Sequence, residues 1–361
     1  MSNGTYYVNI NKYVRCQANV NRCKKLTMEE NISLSSKEDN FMKRFKHYKS
    51  NKRKPCLGDV ITIDNNGDKE VTKLSCNILE DPRTELLGLK SFKDWQLFSF
   101  KKHPGLLFIK NPFTELGQRY WIRKCLEQYP RKPNRLNIDI ESNIHDWWAE
   151  CYRNEMCDRV LLKKLRWTTL GYHHNWDTKV YSEDNRTPFP DDLAELSDVL
   201  ATYLGYQNFR AEAAIVNYYH MKSTLSAHTD HSEVNLSAPL FSYSFGQSAI
   251  FLIGGNDKSV EPSAILINSG DIVIMSKEAR LCYHAVPKIL PSTNSCWDNA
   301  TALKVNYEFP NLKYISQPEK VISIMNANID NQEWDRYRNY IQESRINMNV
   351  RQVLNEKQNC L

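Results

Sequence analysis

The sequence predicts an α+β domain with a jelly-roll or barrel core. Helical periodicity occupies much of the chain before residue 206, the stretch from 209 to 286 breaks into short strand-like runs, and Gly and Asn punctuate those runs at close spacing. The chain has 361 residues, enough for one large domain or one domain with appendages. At 41% hydrophobic residues with 12 Gly and 14 Pro it reads as globular, and no apolar run approaches the roughly 18 to 20 residues of a membrane helix.

Taken in order, residues 1 to 60 hold thirteen Lys and Arg against five Asp and Glu, while the remainder is close to neutral in a chain of net charge +6. A basic arm beside a neutral domain suits polyanion contact, and it equally suits a solvated tail. Residues 1 to 28 lack Asp and Glu but contain Lys12, Arg15, Arg22, Lys24 and Lys25, one feature of a mitochondrial transit peptide. Serine is scarce there and no apolar helical face forms, so targeting stays open. The ten cysteines form no CxxC pair and no regular spacing, which argues for a reducing compartment and against a zinc knuckle or disulfide framework.

FMKRFKHYK (41 to 49) spaces Phe41, Phe45 and Tyr48 for a short amphipathic helix. Residues 50 to 83 are polar and loop-rich, so the folded domain is expected to start near residue 85, leaving 1 to 84 as a largely flexible region. LLFIKNPF (106 to 113) holds a short strand. Leu116, Tyr120, Ile122, Leu126 and Tyr129 fit a helix ended by Pro130 and Pro133, and a second helix is expected over 143 to 164. LRWTTLGYHHNW (165 to 176) mixes aromatic and β-branched residues, and PFPDDLAELSDVLATYLGY returns to a helical period.

Ile215, Asn217 and Tyr219 alternate with Val216 and Tyr218; FSYSF, SAIFLIGG, SAILINSGD and DIVIMS are further β runs. EWDRYRNYIQES (333 to 344) reads as a helix leading into RINMNVRQVL. As a strand, the latter puts Arg345, Asn347, Asn349 and Arg351 on one face and Ile346, Met348 and Val350 on the other.

Chemistry concentrates at HTDHSE (228 to 233). His228 and Asp230 are two apart, so on an extended segment both project to one side, and His284 in CYHAVP is the candidate third ligand. Two His and one carboxylate make the facial triad of non-haem Fe(II) oxygenases, which leaves positions open for co-substrate and O2. An HxD pair alone arises often by chance. The downstream His at a strand end and the arginine-bearing strand strengthen it, because a keto-acid co-substrate needs a cation for its remote carboxylate, a task that suits Arg. His231 is expected to point away from the triad, as a surface or supporting residue.

NYYHMKSTLSAHTDHSE, LFSYSFGQSAIFLIGG, NSGDIVIMS, LCYHAVPKILP and RINMNVRQVL, with LRWTTLGYHHNW and TPFPDDL, closely resemble the AlkB-type Fe(II)/2-oxoglutarate dioxygenases, and among them the homologue-one branch. The resemblance covers residues 41 to 49 and 95 to 355, and the joint pattern HxD, H and RxNxxxR is highly specific. It implies a double-stranded β-helix with a nucleotide-recognition lid over 165 to 355, preceded by a helical part from 85 to 164. It implies Fe(II) on His228, Asp230 and His284, and 2-oxoglutarate on the NYY segment (Asn217, Tyr218, Tyr219) with Arg345, Asn347 and Arg351.

The same resemblance makes Trp148, with Trp147 beside it, Tyr172, His173, His174 and Asn175 candidates for substrate contact. The bacterial-type repair enzymes carry an acidic residue two positions after the metal Asp; here Ser232 stands there, followed by Glu233, which leaves repair of alkylated DNA bases in doubt and makes Glu233 a candidate base contact. The implied reaction consumes O2 and 2-oxoglutarate, yields succinate and CO2, and hydroxylates a methyl carbon. The implied partners are tRNA or DNA in unpaired regions, where extruding a base costs less. The implied substrates are N1-methyladenine in tRNA, 5-methylcytosine in tRNA and N6-methyladenine in DNA.

Two other readings remain: protein hydroxylation or histone demethylation by the same iron chemistry, and a nucleic-acid-binding module with a vestigial site. An abasic-site lyase would need a nucleophilic Lys that no pattern singles out. A monomer that does not enter membranes is expected, located in the nucleus, cytoplasm or mitochondrion.

Overall fold

Hydrophobic alternation at period two turns the middle and end of the chain into thirteen strands among the described residues. They are β1 (Val71–Leu74), β2 (Leu97–Phe100), β3 (His103–Ile109), β4 (Arg135–Leu136), β5 (Trp167–Gly171), β6 (Ala213–His220), β7 (Leu225–His228), β8 (Leu240–Gly246), β9 (Ser248–Ile253), β10 (Ser263–Ile267), β11 (Ile272–Met275), β12 (His284–Leu290) and β13 (Ser344–Arg351). In the computed structural model the described residues are 38–50, 52, 55–63, 69–76, 78–141, 143–153, 156–298, 300–301 and 309–361. The expected targeting segment and most of the basic arm lie outside them.

The strands pair antiparallel in two sheets, of order β1-β2-β3-β11-β8-β13-β6-β5-β4 and β10-β9-β12-β7. One face of the large sheet carries Phe241, Tyr243, Phe245, Val216, Tyr218, Ile346, Met348 and Val350 into the largest apolar cluster, shared with the helices. Its other face meets the small sheet through Phe108, Leu240, Phe251, Ile265, Val273 and Val286. This is the α+β jelly-roll arrangement that the short strands and helical periods predict.

Helix Asp191–Leu204 sits on the helical side, with Leu193, Leu196, Val199 and Leu200 buried. It stops at Gly205, whose φ of 77° is the left-handed conformation that ends helices with least strain for glycine. Helix Glu115–Arg123 starts at Thr114, whose hydroxyl accepts from the Gly117 amide, and runs into a π turn at Lys124–Gln128.

Two expectations need correction. The stretch 143 to 164 is not one helix but two short ones, Trp147–Cys151 and Arg159–Lys164. Each starts at an aspartate that accepts from backbone amides, Asp146 from Ala149 and Asp158 from Val160 and Leu161, so a capping residue inside an apolar period starts a new helix.

The folded unit also begins well before residue 85: it spans Glu38–Leu361. Helix Asn40–Lys49 buries Phe41, Phe45 and Tyr48 against Ile250, Leu252, Ala264 and Ala285 of the small sheet, Ile61 bridges Ile265, and β1 pairs with β2. No helix of the described residues is long and apolar enough to cross a membrane.

Candidate active site

β7 ends on His228 and β12 begins on His284, and the two residues face each other across the antiparallel ladder. Their ring centroids are 4.3 Å apart. Asp230, two residues beyond the end of β7, brings its carboxylate to 4.0 Å from His228 Nε2 and 3.7 Å from His284 Nε2. One donor atom from each of the three lies within 4.8 Å of the others, and among the described residues this is the one such group of His, Cys, Asp and Glu.

His228 Nδ1 lies 2.9 Å from the Ser226 carbonyl and His284 Nδ1 3.1 Å from the Cys282 carbonyl. A carbonyl only accepts, so each neutral ring carries its proton on Nδ1 and keeps the Nε2 lone pair for the centre of the group. Burial, with His228 adding to it, pushes the His284 pKa down to about 4, which keeps that ring neutral. Burial works against the Asp230 charge, but Arg351 and the two imidazoles outweigh it and hold the carboxyl well below its usual range. Two imidazoles and one carboxylate match the donor set of a non-haem Fe(II) centre.

Beside the triad, β13 pairs with β6 so that Arg345 faces Tyr219 and Asn347 faces Asn217. Arg345 is 3% exposed, lies 5.7 Å from the Tyr219 ring centroid and donates from Nη2 to Ser244 Oγ at 3.0 Å. Its Nε and the Tyr219 hydroxyl are both buried and, among the described residues, have no hydrogen-bond partner. Burial lowers the Arg345 pKa to about 10 and raises that of Tyr219 to about 12. A buried guanidinium with no carboxylate at ion-pair distance among the described residues, next to a hydroxyl without a partner, is costly unless an anion completes it. One carboxylate of a keto acid supplies those missing acceptors, so the residues present fit 2-oxoglutarate.

The other expected co-substrate contacts divide. Asn217 lines the cavity over the triad. Asn347 donates to Ser242 Oγ at 2.8 Å and to the Tyr243 carbonyl at 3.0 Å and accepts from Asn349, bracing the arginine strand. Arg351 donates to Asp230 Oδ2 at 3.0 Å, and its Nε lies 3.2 Å from Glu233 Oε1, so it serves the metal-side carboxylate. Tyr218 is a correction: period two turns it to the opposite face, where its hydroxyl donates to the Cys125 carbonyl within the helical layer.

Arg280 has no signal in the sequence yet holds the site from behind. Fully buried, it donates to the Asp230 carbonyl at 2.6 Å, to the Ala238 carbonyl at 3.2 Å and to Glu233 Oε2 at 2.9 Å. Glu233 also accepts from the Tyr181 hydroxyl at 3.1 Å. Both of its oxygens are thus engaged in a buried network that fixes the 228 to 233 loop, although the residue lines the cavity.

That cavity has a volume of about 600 Å³ and opens over the triad, with His174, Trp176, Lys179 and Tyr181 on one wall and Asn349 and Arg351 on another. Ser232 lines it, and His231 stays exposed at its rim. Of the expected substrate contacts, His174 and Glu233 reach it and four do not. Trp148 is buried in the helical layer, stacked on Tyr337 at 5.3 Å, and Trp147 packs beside it. Tyr172 donates to Glu183 beneath the Arg186 guanidinium. His173 is buried with Nδ1 2.7 Å from Thr169 Oγ1, and Asn175 closes a turn by accepting from the Asp177 and Thr178 amides. Each is engaged with its own neighbours, with His173 Nε2 alone of their ring nitrogens left buried without a partner among the described residues, and a string of aromatic and polar letters does not reveal this. Trp176, Lys179 and Tyr181, a few residues on, are the cavity residues that reading missed.

The family model of the 2OG-Fe(II) oxygenase superfamily matches residues 105–351. The chain is 38% identical over 345 residues to the Homo sapiens protein named nucleic acid dioxygenase ALKBH1, covering 89% of this chain and 86% of that one. It is 33% identical over 279 residues to the tRNA demethylase abh1 of Schizosaccharomyces pombe, covering 72% of this chain and 82% of the other. It is 29% identical over 291 residues to the DNA N(6)-methyladenine demethylase ALKBH1A of Arabidopsis thaliana, covering 71% and 77%.

Proposed function

The chain belongs to the 2OG-Fe(II) oxygenase superfamily, and on that premise we propose that it is a nucleic-acid demethylase acting first on N1-methyladenine in tRNA. Oxidation of 5-methylcytosine in tRNA and removal of N6-methyladenine from DNA are its further activities. Its cofactor is Fe(II), with 2-oxoglutarate and O2 as co-substrates. Loaded with them, the site hydroxylates a methyl carbon as the keto acid becomes succinate and CO2, and the N-hydroxymethyl base then releases formaldehyde.

The chain's own residues divide the work. His228, Asp230 and His284 hold the metal, with their lone pairs converged by carbonyls on the far side of each ring. Arg345 and Tyr219 take one carboxylate of 2-oxoglutarate, and Asn217 orients the co-substrate from the same face. Arg351 and Arg280 fix Asp230 by its side chain and its carbonyl respectively. The cavity above admits an extruded base, with His174, Trp176 and Lys179 at its wall. Residues 165 to 355 carry the site residues, and the segment from 85 to 164 supplies β2 and β3 of the large sheet together with part of the helical layer behind it.

The observation that carries the reading is the orphaned Arg345 and Tyr219 pair beside the triad. The relatives named for tRNA and DNA demethylation support the choice of nucleic acid. The test incubates tRNA with protein, Fe(II) and 2-oxoglutarate and quantifies nucleosides by LC-MS. Loss of 1-methyladenosine matched by succinate is expected; persistent 1-methyladenosine without succinate refutes demethylation, and succinate formed with methylated peptides in place of RNA redirects the substrate class to protein.

A further inference from the structure

A second cavity of about 320 Å³ lies on the helical side of the molecule, where β6 ends and β13 begins, and the catalytic roles given above leave it without a function. Its walls are cationic. Arg159 and Lys163 come from one short helix at i and i+4, so they share a face and repel each other. Arg336 comes from helix Asn331–Ile341 and covers the Tyr152 ring at 5.3 Å. Among the described residues no carboxylate pairs with any of these three, although most other cations around the helical layer are paired, for example Arg123 with Glu127 and Arg338 with Asp335. Glu343 is the acidic side chain on the rim.

The cavity is tied to the active site through one strand and one turn. His220 forms part of its lining, three residues after Asn217 on β6, and at about 3.3 Å per residue that is a separation of roughly 10 Å. The turn after His220 leads to Thr224, which lines the active-site cavity, and Arg166 donates to Ser223 Oγ in that turn at 2.6 Å. Arg166 and Lys222 are exposed between the two cavities, and Lys179 stands at the wall of the active site. Cations with no carboxylate partner among the described residues therefore run from the second cavity to the mouth of the first.

We propose that this cleft, built by Arg159, Lys163 and Arg336, binds backbone phosphate of the unpaired strand that flanks the base in the active site. The inference rests on the nucleic-acid reading above and extends it to a site that anchors the substrate away from the chemistry. Cations left unpaired around a cavity fit a polyanion, because phosphate neutralisation releases counterions and supplies affinity independent of sequence. The like-charged pair on one helix face is relieved when phosphate sits between its members.

The test measures affinity for an unpaired oligonucleotide by fluorescence anisotropy across a salt series. It compares the wild type with Arg159→Glu/Lys163→Glu, Arg159→Gln/Lys163→Gln and the charge-conserving Arg159→Lys/Lys163→Arg. Succinate formed without nucleic acid reports whether each variant retains an intact iron site. Charge reversal is expected to weaken binding roughly tenfold or more at about 0.1 M salt and to flatten the plot of log K against log salt by about 0.7 for each phosphate no longer neutralised. Arg159→Lys/Lys163→Arg is expected to bind like the wild type. An unchanged slope in the charge-reversed variant overturns the cleft, whatever the enzyme's activity. A wild type that binds with the steeper slope but leaves the methylated base intact overturns the demethylase reading and supports the cleft.

Discussion

Arg345 is a buried cation whose Nε lacks a partner, and this makes its removal informative. Charge-assisted hydrogen bonds contribute about 1.5 to 3 kcal/mol, so Arg345→Ala is expected to raise the KM for 2-oxoglutarate by roughly 10- to 100-fold. Metal binding, followed by tryptophan fluorescence on Mn(II) addition, should stay within about threefold of the wild type, a bound set by a residual coupling below about 0.7 kcal/mol. His173 yields a pH prediction. Burial, with Arg135 adding to it, lowers its pKa from 6.5 to about 4, so between those values the unfolded chain holds a proton that the folded chain lacks. Stability therefore rises with pH through that window and is lost on acidification from 6.5 towards 4. In His173→Asn, urea denaturation across that window should show a slope of stability against pH shallower by up to one proton, about 1.4 kcal/mol per pH unit. An unchanged slope would mean that the imidazole stays protonated in the fold. At this scale the sequence was legible where chemistry needs fixed spacing, as in HxD and RxNxxxR. Arg280 was not legible, because its partners Asp230 and Glu233 lie nearly fifty residues upstream and nothing local marks it.

Element by element, periodicity located the pieces better than their partners. The spacing of Phe41, Phe45 and Tyr48 was enough to expect a helix, but only the fold shows that it covers the outer face of the small sheet. The Phe41 ring lies so close to Gly254 that a Cβ there would sit 2.9 Å from Phe41 Cδ2, and the Phe41 amide donates to the Lys258 carbonyl at 2.9 Å. Ile253, next to Gly254, pairs with His284, so this helix backs a strand junction that positions the triad. Phe41→Ala is expected to destabilise the fold by about 3 to 5 kcal/mol, measured as a lower urea midpoint. A loss below about 1 kcal/mol would show that the helix rests on the sheet without supporting it. The period of 3.6 was misread over 143 to 164 for a definable reason: Asp146 and Asp158 offer their carboxylates to backbone amides, and a capping bond outweighs continuation of an apolar stripe.

At the scale of the whole molecule, the fold places two ligand-ready arrangements side by side: a triad of converged donors whose carboxylate Arg351 braces, and a buried guanidinium beside a hydroxyl that lacks a hydrogen-bond partner among the described residues. Both sit on strand pairs of the two sheets, β7 with β12 at one edge of the small sheet and β6 with β13 inside the large one, so filling either should stabilise the unit as a whole. A ligand that binds only the folded state adds RT ln(1 + [L]/Kd), about 2.7 kcal/mol at a hundredfold excess over Kd. For a unit spanning Glu38–Leu361, with an unfolding entropy of about 2.1 cal/mol/K per residue, that is a rise in Tm of about 4 °C. The expected pattern distinguishes the two halves. Mn(II), which occupies such sites without turnover, should raise Tm in the wild type and in Arg345→Ala but not in His228→Ala. 2-Oxoglutarate added after the metal should raise it further in the wild type only, since the keto acid needs both the metal and Arg345. If 2-oxoglutarate stabilises His228→Ala as much as the wild type, its carboxylate is held without the metal, and the pairing of these two sites in one catalytic centre is wrong. The N-terminal limit of the unit enters the same measurement. Because the strands behind the triad carry helix Asn40–Lys49 on their outer face, a chain trimmed at the expected start near residue 85 should lose the metal-dependent rise along with its stability.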